Sequence, residues 1–180
     1  NDKIRHIGEI LAGLGILFIG IETMGTTMKP LASSQVFLDL IGKVADIPIL
    51  GLLLGVGMTV VVQSSSAVIA VLQNFAAQAG PDGVSSILGL QGAIPILLGS
   101  NIGTTITALL ACIGQKKDAK RTAVAHSVFN ITGSVLFMFI IPWFAKVVEL
   151  FSPSGVEVEV ISRQIANAHT AFNVVNTIIW

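Results

Sequence analysis

The stretch Gln63-Ser64-Ser65-Ser66 constrains the fold more than any other, because it sets an amide and three consecutive hydroxyls inside an otherwise apolar run. Ile47 to Val62 carries no charge, and between Val68 and Ala79 only Gln73, Asn74 and Gln78 are polar. A full helical crossing takes roughly 20 apolar residues, and each arm falls short of that. Two short apolar arms around a polar knot read as a broken membrane helix. The second helix should begin near Ser66, since a serine at a helix start satisfies N–H groups that lack an intrahelical partner. Unpaired backbone at membrane depth survives only against protein or in a wet cavity, so the break reads as a ligand cradle. The competing reading is an unbroken helix whose serines bond back to their own carbonyls.

Composition supports a membrane setting. The chain is 53% hydrophobic and 11% charged with a mean hydropathy of +0.84, which fits a polytopic α-helical membrane protein and excludes an ordinary soluble domain. Its formal net charge of zero removes any electrostatic case for nucleic acid. Cys112 is the single cysteine, so no internal disulfide can form, and in its apolar run it reads as a small packing residue. The chain opens on Asn1 without a cleavable signal pattern, and is expected to be a portion of a longer chain or a processed one.

Taken in order, Lys3 and Arg5 precede an apolar stretch, 7–28, long enough to cross, in which Gly13, Gly15 and Gly20 allow close helix packing. Glu9 and Glu22 lie near its two ends, where an acid is tolerated. Lys29-Pro30 should end this span, and Leu31 to Val44 should form a short amphipathic surface helix. Asp46-Ile47-Pro48 opens the next run with a proline suited to a first helical turn. Residues 47–79 are expected to form a re-entrant hairpin that closes at Gly80-Pro81-Asp82-Gly83. Within 85–113, Gly99-Ser100-Asn101-Ile102-Gly103-Thr104-Thr105 reads as a second break, in a helix that crosses once. Lys116, Lys117, Lys120 and Arg121 make loop 115–121 the densest basic cluster, cytoplasmic by the positive-inside rule. With the first span leaving and the hairpin returning to the outside, one crossing by 85–113 brings that loop to the inside.

Residues 122–141 should cross outward and end at Pro142-Trp143, an outer loop should carry Glu157 and Glu159, and 165–180 should begin another span. These two spans share an echo. His126 and Asn130 sit four residues apart with Phe129 alongside, as His169 and Asn173 do with Phe172, so each pair shares a helix face. The pairs either line the site or, as the favoured reading, bond to each other across the bundle.

The polar groups at depth are neutral oxygens and amides: Gln63, Ser64, Ser65, Ser66, Asn101, Thr104 and Thr105. Between Lys43 and Lys116 the only charges are Asp46 and Asp82, both in boundary turns. An anion held there would rely on helix N-termini, each worth about half a positive charge, together with bound cations. Hydroxyl, amide and carbonyl oxygens are the hard ligands a small cation such as sodium prefers. An intramembrane hydrolase is disfavoured, because no Gly-x-Ser-x-Gly elbow is present and no acid is placed to orient His126 or His169.

Thr59 to Ala67, T-V-V-V-Q-S-S-S-A, followed by G-S-N-I-G-T-T and the two H-[ST]-x-F-N echoes, resembles the type II sodium-dependent phosphate cotransporters and their bacterial relatives over essentially the whole chain. That resemblance implies a non-enzymatic sodium–phosphate symporter in the plasma membrane, the inner membrane of a bacterium. It implies one half of an inverted-repeat transporter, more similar to the C-terminal repeat, with residues 1–180 as a single repeat. Phosphate would meet Ser64, Ser65, Ser66, Asn101, Thr104 and Thr105, and sodium Gln63, Ser64, Ser65, Ser66, Asn101 and Thr104. His126, Asn130, His169 and Asn173 would stand behind them. Sodium is the only metal implied, as coupling ion, with no cofactor. The partners implied are inorganic phosphate, sodium, membrane lipid, and either the complementary repeat or a second copy of the chain. A passive channel subunit, or a repeat that carries another small anion, is the alternative.

Overall fold

The computed structural model describes residues 2–32 and 34–180, and among them the secondary structure is helical. The helices are α1 (Asp2–Ala32), α2 (Gln35–Asp46), α3 (Pro48–Val62), α4 (Ser65–Ala76), α5 (Gly89–Ala111), α6 (Lys117–Met138), α7 (Ile141–Leu150) and α8 (Glu157–Ile179). By length and apolarity, α1 over Asp2–Thr23 and α5 can each cross a membrane. Two further pairs qualify when joined, α2 with α3 at a 111° bend and α6 with α7 at a 91° bend. This is a polytopic all-α membrane protein.

α5 is the axis of the bundle. It touches α2, α3, α4, α6, α7 and α8, and its segment Leu90 to Thr105 supplies Ala93, Ile94, Leu97 and Leu98, all fully buried. Phe137, Phe144 and Phe172 meet edge to face, with centroids 4.8 and 5.1 Å apart, and so join α6, α7 and α8. α1 stands apart from this core, exposed along its apolar length, and its main contacts among the described residues are with α2 and α4.

Several boundaries differ from expectation. α1 continues through Lys29-Pro30 to Ala32, because a proline this near a helix end forfeits little of the bonding ladder. The surface helix expected over Leu31 to Val44 forms as α2, and Ser33 within that range lies outside the described residues. Pro142-Trp143 does not mark the end of the helix that begins this segment. α6 already ends at Met138, and Pro142 occupies the first turn of α7, where its missing N–H costs nothing. Glu157 and Glu159 lie in the first turn of α8 rather than in a loop, and the helix expected from 165 starts at Glu157. Acidic side chains suit that position, since the free N–H groups there carry partial positive charge.

The turn between α4 and α5 is held from two sides. Ser86 donates its hydroxyl to the Ala76 carbonyl at 2.6 Å, and the Glu157 carboxylate accepts the Ser86 N–H at 2.9 Å. At its tip Asp82 accepts the Ser85 hydroxyl and the N–H groups of Ser85 and Val84, which holds its carboxyl below the usual carboxylate value. A depressed folded-state pKa means these bonds contribute fully above the unfolded pKa and fade as pH falls through the folded one. Amide exchange at Val84 and Ser85 should therefore accelerate beyond its intrinsic pH dependence as the solution is acidified below the carboxylate range, and in Asp82→Asn that extra acceleration should vanish.

Candidate functional site

The site is built on two parallel helices. α3 presents Gly51 and Gly55, four residues apart, and α5 presents Gly99 and Gly103. A Cβ at Gly51 would lie 2.9 Å from Cβ of Pro95, one at Gly55 would overlap the Ile96 carbonyl oxygen, one at Gly99 would overlap that of Leu52, and one at Gly103 would sit 2.8 Å from that of Val56. Partners rise together along both helices, so α3 and α5 run in the same direction with their backbones touching. Gly92, near the start of α5, would place a Cβ 3.1 Å from Ala45, which lies just before α3 begins. The chain must therefore travel back along α4 to reach the start of α5. α3 and α4 thus form a helical hairpin.

Its tip lies where the polar knot predicted a break. α3 ends at Val62, Gln63 takes left-handed backbone with φ 55°, and Ser64 caps α4 by accepting the Ala67 N–H on its side chain at 3.2 Å. Gln63 is the only non-glycine residue with positive φ among the described residues. The helix starts at Ser65, one residue before the expected position. Ser64 Oγ and O take the amides of Ala67 and Val68, which leaves the N–H groups of Ser65 and Ser66 without an acceptor among the described residues. Gln63 and Ser66 are exposed and Ser64 and Ser65 half-buried, so the tip faces outward from this chain.

The second break does not form. α5 is continuous from Gly89 to Ala111, through both Pro95 and the G-S-N-I-G-T-T stretch. Ser100 and Asn101 donate to the Leu97 carbonyl, Thr104 to that of Ser100 and Thr105 to that of Ile102, at 2.8 to 2.9 Å. These polar groups are satisfied within their own helix, the arrangement weighed above for the serines of the tip. Gly99 and Gly103 are accounted for by the contact with α3 rather than by an unwound backbone. One helix N-terminus, not two, therefore stands at this site in the chain.

The two stretches nonetheless come to one level. Thr59, one turn before Gln63, packs on Gly103, where an added Cβ would lie 2.7 Å from Thr59 Cβ. Asn101 and Thr105 are buried, Thr104 is half-buried, and no hydrogen bond joins them to Gln63 through Ser66 among the described residues.

The histidine–asparagine pairs do not bond to each other across the bundle. Asn130 donates its amide to the His126 carbonyl at 2.9 Å and Asn173 to that of His169 at 2.8 Å, each inside one helix, while both imidazoles are half-buried. The interhelical bond comes instead from Asn176, whose Nδ2 donates to the Phe129 carbonyl at 3.2 Å with its amide wedged against Gly133. Among the described residues two buried polar atoms lack a partner, Thr59 Oγ1 and Asn176 Oδ1. Leaving such atoms unpaired is costly; Thr59 lies against α5 one turn before the hairpin tip, and Asn176 against α6. A polar residue one turn from the knot was the available signal for Thr59. Asn176 has only its place one turn beyond Asn173.

Residues 20–155 match the protein family described as Na+/Pi-cotransporter. The chain is 33% identical over 177 residues to the uncharacterized protein YqeW of Bacillus subtilis, covering 98% of this chain and 53% of that protein. It is 32% identical over 145 residues to human sodium-dependent phosphate transport protein 2C, covering 75% of this chain and 23% of that protein. Against human sodium-dependent phosphate transport protein 2B it is 39% identical over 92 residues, covering 49% and 12%. The chain thus spans about half the length of the bacterial relative and less of the human ones. No solved structure matches it significantly.

Proposed function

Because the chain belongs to the Na+/Pi-cotransporter family, we propose that it forms one repeat of a sodium-coupled phosphate symporter, with its solute site at the tip of the α3–α4 hairpin. The observation that carries this reading is the tip itself. Two backbone N–H groups, at Ser65 and Ser66, stand unpaired at a helix start, flanked by hydroxyls and by a strained glutamine. In this reading phosphate accepts from those amides and from the hydroxyls of Ser64 to Ser66.

Asn101, Thr104 and Thr105 suit sodium better than phosphate. Thr104 and Thr105 each commit their one hydroxyl hydrogen to their own helix, so what they offer is oxygen lone pairs, while Asn101 offers its amide oxygen and keeps one amide hydrogen. Gln63 and the serine hydroxyls complete the cation's surroundings, while His126, Asn130, His169 and Asn173 stand behind the site. One N-terminus in this chain leaves the anion undercompensated, and a complementary repeat or a second copy of the chain supplies the rest. The reading places the protein in the plasma membrane with loop 115–121 on the cytoplasmic side.

Charge decides the coupling. Phosphate near neutral pH carries between one and two negative charges, and an unpaired buried ion costs several kcal/mol. A helix N-terminus offsets up to about 2 kcal/mol of that in a favourable geometry. No lysine or arginine lies between Lys43 and Lys116, so in this reading bound sodium neutralises part of the remainder, beside what the complementary repeat or second copy supplies. Phosphate affinity of the complete transporter should therefore rise on adding sodium, and sodium affinity should rise by the same factor on adding phosphate. The check is isothermal titration with phosphate in sodium and in choline at equal ionic strength, followed by uptake into proteoliposomes. Equal phosphate affinity in the two salts would discard the coupled reading, and flux that simply follows ion gradients would favour a passive channel.

A further inference from the structure

Thr59 departs from every other threonine of the chain. Each of the others donates its hydroxyl to a carbonyl three or four residues back in its own helix, at 2.6 to 3.0 Å, which is how an apolar helix absorbs a threonine. Thr59 is fully buried, and its Oγ1 meets no donor or acceptor among the described residues. A buried hydroxyl left unpaired is costly, and valine offers the same shape without it. Val60, Val61 and Val62 follow directly, so valine is readily placed in this turn. Stability given up with no return in packing is the mark of a functional group.

The position of Thr59 shows what its oxygen would serve. α3 and α5 run in the same direction, and a Cβ at Gly55 would lie 3.0 Å from the Ser100 nitrogen. One turn farther along both helices stand Thr59 and Thr104, where Gly103 yields the room that the Thr59 Cβ and methyl occupy. Thr104 gives its hydroxyl hydrogen to the Ser100 carbonyl at 2.8 Å and keeps its lone pairs for a cation. Thr59 brings a second hydroxyl oxygen to that level from the facing helix, with its lone pairs uncommitted. Residues 47–81 carry no charge, so this oxygen has no ionic side chain on its own hairpin to answer. Neutral oxygens converging from two helices suit a small hard cation.

We propose that the Thr59 hydroxyl is a sodium ligand alongside Thr104, so that the cation is held between α3 and α5 one turn below the hairpin tip. The inference rests on the sodium-coupled reading above. The test compares the complete transporter with its Thr59→Val and Thr59→Ser variants. Three quantities are measured: thermal stability in choline chloride, the thermal shift on exchange into sodium chloride, and the sodium concentration that half-saturates phosphate uptake. Thr59→Val should be at least as stable as wild type in choline, because the unpaired hydroxyl is gone. It should nevertheless need roughly tenfold more sodium, or higher still, for the thermal shift and for uptake, the cost of losing one ligand to a charged group. Thr59→Ser keeps the oxygen and should stay close to wild type in both. Wild-type sodium dependence in Thr59→Val overturns the inference. So does an equal defect in Thr59→Ser, or a Thr59→Val protein already unstable in choline, which would make the hydroxyl a structural group. A wild-type protein whose stability and uptake ignore sodium discards the coupled reading itself, and the inference with it.

Discussion

Replacing Gly55 with alanine should destabilise the protein by about 3 kcal/mol or more, at the upper end of what overpacking costs, while the same change at Gly57 two residues away should be neutral or slightly stabilising. The difference is one of neighbours. A Cβ at Gly55 would overlap the Ile96 carbonyl oxygen and lie 2.8 Å from the carbonyl carbon and 3.0 Å from the Ser100 nitrogen, all of them backbone atoms that cannot swing aside. A Cβ at Gly57 meets nothing within 4 Å and removes the entropic penalty of glycine in a helix. Gly99→Ala should behave as Gly55→Ala does, since its Cβ would overlap the Leu52 carbonyl from the other side. Thermal unfolding of the purified variants in detergent, read alongside protease resistance in membranes, checks the set. A Gly55→Ala protein as stable as wild type would mean that α3 and α5 do not touch at backbone distance.

The second large effect is on transport. Gln63→Gly should leave stability within about 1 kcal/mol of wild type, because relief of left-handed strain and the extra freedom of glycine in the unfolded chain oppose each other with similar size. Phosphate uptake by the complete transporter should nevertheless fall by roughly ten- to a hundredfold, the range set by losing one hydrogen bond or ligand to a charged group. Gln63→Val keeps a side chain but places a β-branched residue at φ 55°, and should lose stability as well as uptake. Sodium-dependent uptake of radiolabelled phosphate, measured with thermal stability on the same preparations, separates the two outcomes. Normal uptake by Gln63→Gly would show that the tip amide is not part of the solute site and that the strain has another origin.

What could be read from residues alone follows from how local each signal is. The hairpin tip was legible because an apolar run cannot absorb Gln63 and three serines without consequence, and a capping serine declares itself within three residues. The continuity of α5 was not legible. Glycine, asparagine and threonine have the same local preferences whether a helix breaks or a second backbone presses against it, and only the position of α3 distinguishes the two. The asparagine bonds were misjudged for a related reason. An amide four residues after a histidine reaches that residue's carbonyl as readily as it reaches a neighbouring helix, and spacing cannot rank the two. Asn176, which does cross between helices, has nothing in its surroundings in sequence to mark it. The 111° and 91° bends were only partly signalled by Pro48 and Pro142, because a proline states where a helix can start and not at what angle.

The glycine seam between α3 and α5 also acts as a ratchet stop. Sliding α3 by a single residue would bring Leu54 or Val56 to the Ile96 carbonyl in place of Gly55, and no side chain fits there. The two helices can therefore tilt or travel only as one block, and shear along their shared axis is forbidden. Outside the block the chain turns sharply at Ile47, where α2 meets α3, and at Phe139-Ile140, where α6 meets α7. If the proposed carrier is built on this block, its solute site opens by swinging other elements past the hairpin tip, since Gln63 travels with α5 wherever the block goes.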